Sequence, residues 1–171
     1  MIHHILNGDS LAHTFPEANL PGEIVVFREA LIDGDLTGDT LLTFWHTRAK
    51  YHGANQVDYD RMVLVEINKL LHAPDHSEFN LWFEYDLFCQ VNLWFLLNLL
   101  NNLPISKQIF LVYTSYLNRK DNHFWNGFGP ANAEQLNECY THRIQVNKDD
   151  LQFGADLWTA YKKNDLSLIH I

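Results

Sequence analysis

Residues 79–100, FNLWFEYDLFCQVNLWFLLNLL, constrain the fold more than any other stretch. The opening Phe79-Asn80-Leu81-Trp82-Phe83 is short, aromatic-rich and follows an Asp-His-Ser-Glu turn, which favours a strand over a helix. From Leu87 to Leu100 apolar side chains fall on nearly every face of a helix, so that helix is buried on all sides or spans a membrane. A span needs about 20 mainly apolar residues. Glu84, Asp86, Gln90, Asn92 and Asn98 interrupt this one, so the segment reads as a core or dimer-interface helix. A buried strand feeding a buried helix, with carboxylates at the junction, is the layout of a ligand site in α/β proteins.

Three further apolar runs accompany that strand: Met1–Leu6, Glu23–Phe27 and Gln108–Tyr113. Helical patterns separate them, which predicts βαβ units and an α/β fold, a Rossmann-like open parallel sheet of about four strands in the order 2-1-3-4. Residues 1–130 form this α/β domain. Residues 131–171 form a C-terminal helical extension packed on it as a single compact unit. Asn132 with Gln135, and Asn147 with Asp150, have the capping-box spacing that opens two helices there.

Thr40–His52 carries Leu41, Phe44, Trp45, Ala49 and His52 on one face, with Arg48 inside that arc. Tyr59–Leu71 carries Tyr59, Met62, Val63, Ile67, Leu70 and Leu71, with Glu66 near the middle of the stripe. Lone buried charges are unfavourable, so the pattern predicts an interior Arg48–Glu66 pair, either structural or facing the same pocket as Asp86. Thr114–Pro130 has no periodicity and is rich in aromatics and glycine, which suits a lid or a packed surface loop.

Twelve basic against twenty-one acidic residues give a net charge of −9, which argues against general nucleic-acid or anionic-membrane binding while leaving room for a local basic pocket. Cys89 and Cys139 form no metal or redox spacing and read as buried, reduced thiols of a cytoplasmic protein. MIHHILNGDS lacks the charged and apolar regions of a signal peptide. The loop Ile32–Asp39 begins like a calcium loop at Asp33, Asp35, Thr37 and Gly38. Phe44 stands where the bidentate glutamate is needed, so a solvated turn is the expectation.

A parallel sheet delivers its strand exits to one edge, and with this order the crevice between the first and third strands is the topological switch point. Asn7, Asp9 and Ser10 leave strand one, Arg28 and Glu29 leave strand two, and Glu84, Asp86 and Gln90 follow strand three. Asp9, Glu84 and Asp86 could hold Mg²⁺ or share a proton for acid–base work, and Arg28 could clamp a phosphate or carboxylate. Each has a plainer reading: Asp86 and Asp9 are preferred N-cap residues. Ser10 lacks a nucleophile elbow. His3 and His4 alternate on a strand without ligand spacing. Neither G-x-G-x-x-G nor the Walker lysine loop is present.

At NGDS (Asn7–Ser10), PGEIVVFREAL (Pro21–Leu31) and LWFEYDLFCQVNLWFLL (Leu81–Leu97), and in LNECYTHR and LWTAYKK of the tail, the chain resembles the bacterial family called domain of unknown function 1835. Phe27 stands where that family usually has tryptophan and Tyr85 where it often has histidine, and members commonly continue further at the C-terminus. The resemblance implies no established activity or substrate. Two function classes follow from the residues. One is a binder or enzyme for a phosphate-bearing or nucleotide-like small molecule with a divalent cation. The other is a non-catalytic regulatory or protein-interaction module, with a homodimer among its forms.

Overall fold

The computed structural model describes residues 1–121, 126–165 and 167. Its centre is a five-stranded sheet, β1 (Ile2–Asn7), β2 (Glu23–Phe27), β3 (Ser77–Trp82), β4 (Lys107–Val112) and β5 (Ile144–Gln145), in the order β2-β1-β3-β4-β5. The first four strands are parallel, and β5 runs antiparallel to β4. The α/β class and the order 2-1-3-4 are those the apolar runs predict. The fifth strand is an addition. It spans two exposed residues, too short to leave a period-2 signal.

Alternation along the strands sorts the core into two layers. Ile5, Val25, Phe27, Phe79 and Leu81 face a layer built from α2 (Leu41–Tyr51), α4 (Val65–Leu71), α5 (Leu87–Asn101) and α8 (Lys148–Lys162). Leu6, Trp82 and Val112 face the other, built from α1 (Asp9–Thr14), the 3₁₀ turn Phe15–Ala18, α6 (Ser115–Asp121) and α7 (Ala133–Thr141). His3 and His4 obey the same alternation: His3 stacks on Phe79, and His4 packs against Phe15 and Trp82 on the opposite face. Both histidines are buried, so neither faces solvent.

The helix α5 is the core helix its composition demands. Sheet and α8 cover it within the chain, with Phe95 packed against Phe27, Phe44, Trp45 and Trp158. Gly154 of α8 lies directly on the Leu97 side chain, so the two helices meet where a Cβ would intrude. Both capping boxes form, on Asn132 with Gln135 and on Asn147 with Asp150. The helices after residue 130 therefore complete both layers: Leu136 and Cys139 enter one core, Leu151 and Trp158 the other.

The expected Tyr59–Leu71 helix is interrupted. A short α3 (Gln56–Tyr59) runs into a π-helical turn, Asp60–Leu64, before α4. The wider turn brings Val63, Ile67 and Leu70 inward and leaves Met62, expected in the stripe, 57% exposed. Irregularity of Thr114–Pro130 is likewise only partial, because α6 occupies its start. His123, Phe124 and Trp125 of the expected lid lie outside the described residues.

Edge strand β2 is protected by α4. Glu66 Oε2 accepts from the Val26 N–H at 3.0 Å, and Lys69 Nζ donates to the Ile24 carbonyl at 3.1 Å and to Glu66 at 2.9 Å. Glu66 thus points inward to occupy the open edge of the sheet, where an unpaired strand would otherwise invite another chain. It does not pair with Arg48, contrary to the expectation from the two helical stripes.

Candidate functional site

The exits of β1 and β2 are tied to α5 by one asparagine. Asn92, fully buried in the apolar helix, donates to Asn7 Oδ1 (2.8 Å) and to the Glu29 carbonyl (2.7 Å), and accepts from the Leu31 N–H (3.0 Å). Asn7 in turn donates to Cys89 Sγ at 3.0 Å. Buried amides are tolerated only when their donors and acceptors are matched, and this one is matched on both ends. Asn92 was visible in the sequence only as a break in an apolar run.

Arg48 finds its counter-ion in Glu29. Both side chains are wholly buried, with Nε and Nη2 donating to Glu29 Oε2 at 3.1 and 2.8 Å. Tyr59 donates its hydroxyl to the other carboxylate oxygen, and His52 Nε2 lies 3.2 Å from Oε2. Burial and that carboxylate push the Tyr59 phenol far above its ordinary pKa, so it remains a donor. The acidic loop after β2 closes over the same guanidinium: Arg48 donates to the carbonyls of Ala30, Asp33 and Asp35. The calcium-like segment therefore wraps an arginine. Helical stripes correctly place Arg48 inside, but they do not name its partner, which comes from the residue after β2. Glu29, expected at the ligand site, is consumed in this structural lock.

Arg28 and Asp9 form a second local pair. Arg28 Nε and Nη2 donate to the Asp9 carboxylate at 2.9–3.0 Å, and Nη1 donates to the Met62 carbonyl at 3.0 Å. The guanidinium holds the Asp9 carboxyl below its usual range. Asp9 is the first residue of α1 and makes no capping bond; Gly8 occupies the cap position.

Glu84 lies elsewhere. It lines a pocket of about 320 Å³ at the carboxyl ends of β1 and β3, together with Asn7, Ser10, Trp82, Cys89 and the segment 126–129. Of the eight expected site residues, Asn7, Ser10 and Glu84 meet there. Glu84 Oε1 accepts from the Phe128 N–H at 2.7 Å, and Gly127 presses against the carboxylate where any Cβ would collide. Glycine at 127 thus lets the backbone close over Glu84. Gln90 donates to the Glu84 carbonyl at 2.7 Å, but its side chain lines a separate apolar groove with Trp94, Tyr113 and Phe153.

Asp86 is the N-cap of α5, accepting from the Cys89 N–H at 3.0 Å. Among the described residues, Glu84, Asp86 and Cys89 bring one donor atom each within 4.8 Å of one another. Asp9, expected as the third ligand of a cation, is held by Arg28 instead. The set fits Mg²⁺ poorly, because that ion takes oxygen ligands. Burial, reinforced by a hydrogen bond to Asp86, pushes the Cys89 thiol up to about 12, so it is protonated and not a nucleophile.

Comparison of the chain with protein-family models, with curated proteins and with solved structures returned no match. Among the described residues, no helix is long and apolar enough to cross a membrane.

Proposed function

We propose that this chain binds a polar small molecule in the pocket between the exits of β1 and β3. The observation that carries the reading is the position of that pocket. It lies at the switch point of an open parallel sheet, where α/β folds bind ligands, and Glu84 and Ser10 line it together with the buried Trp82 and Phe128. Arg28 is engaged by Asp9, so a phosphate-bearing or nucleotide-like ligand would reach Glu84 only through a divalent cation. Membership of the family called domain of unknown function 1835 is a further part of the proposal. It rests on the motifs at the exits of β1, β2 and β3. A cytoplasmic setting accords with two buried, free cysteines.

A thermal-shift screen of nucleotides, sugar phosphates, polyols and amines, with and without Mg²⁺, tests the reading. A ligand of the native state raises Tm by mass action. The expected result is a rise that is lost in Glu84→Gln, whose amide still offers an acceptor to the Phe128 N–H. A rise that Glu84→Gln leaves untouched would place binding elsewhere and support an interaction module instead.

A further inference from the structure

We infer that the ligand of this pocket is a compact organic cation, a primary amine or guanidinium, held with Glu84 as its counter-ion. The inference rests on the small-molecule reading above and names the chemical class.

Glu84 is the one charged side chain among the described residues that line the pocket. Its Oε1 accepts from the Phe128 N–H, while Oε2 has no hydrogen-bond partner among the described residues. Among the described residues, half of this carboxylate's acceptor capacity is left for an incoming donor. The Asp86 carboxylate lies close to Glu84 and adds a second negative charge. Arg28 and Arg48 are neutralised by acids outside the pocket wall, Arg28 by Asp9 and Arg48 by Glu29. An anion entering here would meet Glu84 and Asp86 with no basic side chain from the described wall to offset them. A cation meets the reverse: a carboxylate oxygen without a partner among the described residues and the exposed Ser10 hydroxyl, on a wall otherwise apolar at Leu11, Trp82 and Phe128. The net charge of −9 raises the local concentration of cations around the whole molecule. At about 320 Å³ the pocket suits a ligand of diamine or amino-sugar size.

Isothermal titration of the full chain with putrescine and with agmatine tests this, beside ribitol as a neutral probe and AMP and ribose 5-phosphate, each with Mg²⁺. The amines are expected to bind with one-site stoichiometry. Glu84→Gln should weaken them on the order of 10- to 100-fold, the worth of one charge-assisted hydrogen bond. Glu17→Gln, an exposed acid on the 3₁₀ turn, should leave them unchanged and so excludes diffuse attraction to an acidic surface. Ser10→Arg, at an exposed position, sets a tethered cation at the pocket mouth and should weaken amine binding even if Glu84→Gln does not fold. Equal weakening by Glu17→Gln, or none by Glu84→Gln and Ser10→Arg, overturns the inference. Tighter binding of ribitol or of a phosphate with Mg²⁺ at the same residues also overturns it, while leaving the small-molecule reading intact. Failure of every probe to bind refutes both.

Discussion

Replacing Glu29 by alanine should be among the most destabilising single changes in this protein. Arg48 is fully buried, and its five donors are committed: Nε and Nη2 to Glu29, Nη1 to the carbonyls of Asp33 (2.7 Å) and Asp35 (3.3 Å), and Nη2 also to Ala30 (3.0 Å). Without Glu29 the guanidinium keeps its carbonyl partners but loses the one carboxylate that pairs with it among the described residues. Removing one member of a buried pair typically costs about 3–5 kcal/mol, because the other charge is left uncompensated. The retained carbonyl bonds put the expected loss near the lower end, about 3 kcal/mol. With a urea m-value of about 2 kcal/mol/M, the midpoint should fall by about 1.5 M. The double change Glu29→Leu with Arg48→Met removes both charges and should recover most of the loss, since well-packed apolar replacements of buried pairs are often neutral. A loss below about 1 kcal/mol for Glu29→Ala, or a double variant no more stable than the single, would refute the account of this lock.

The remaining predictions are smaller in effect. Asp9→Asn should change stability by less than about 1 kcal/mol, because the pair it breaks with Arg28 is partly exposed, and chemical denaturation will show the contrast with Glu29→Ala. Burial holds the pKa of His3 and of His4 below the ordinary 6.5, so the folded state binds fewer protons than the unfolded one. Their contribution is therefore fully present above pH 6.5 and falls as pH drops through the lowered folded values, which urea midpoints between pH 7.5 and 4.5 will reveal. Trp82 Nε1 donates to His4 Nδ1 at 3.2 Å and Nε2 lies 3.2 Å from the Pro21 carbonyl, so His4→Phe should flatten that slope. Gly154→Val should lower Tm, since the added branches meet Leu97 at the closest approach of α8 to α5, and overpacking costs about 1–3 kcal/mol.

Local chemistry was legible in the sequence, and long-range partner choice was not. Four strands and their order follow from apolar runs and βαβ logic, and the caps on Asp86, Asn132 and Asn147 follow from signals within four residues. Arg48 was correctly read as buried from its helical phase. Its partner required knowing that the chain returns after β2 with Glu29 pointing inward, which no period encodes. Glu66 was inward for another reason, because an edge strand needs its open N–H covered. The site was legible as an edge and blurred as a pocket. All the charged exits lie on the carboxyl side of the sheet, but Asp9, Arg28 and Glu29 satisfy one another or Arg48 first. Asp86 caps α5 and Gln90 lines another groove, so of the eight expected residues Asn7, Ser10 and Glu84 are those that line the cavity. Asn92, which holds Asn7, and Gly127, which packs on Glu84, carry no motif: one is a polar residue in an apolar helix, the other a glycine whose need appears only beside Glu84.

The central claim is that the β1–β3 switch-point pocket is where this protein meets its ligand. An amide-resolved NMR titration of the ¹⁵N-labelled chain with putrescine tests it most directly. The account predicts saturable shifts concentrated at Gly8, Ser10, Tyr85, Phe128 and Gly129, with the midpoint moved to about 10- to 100-fold higher putrescine in Glu84→Gln. Shifts confined to the apolar groove around Trp94, Tyr113 and Phe153, or scattered evenly over the acidic surface, would contradict it.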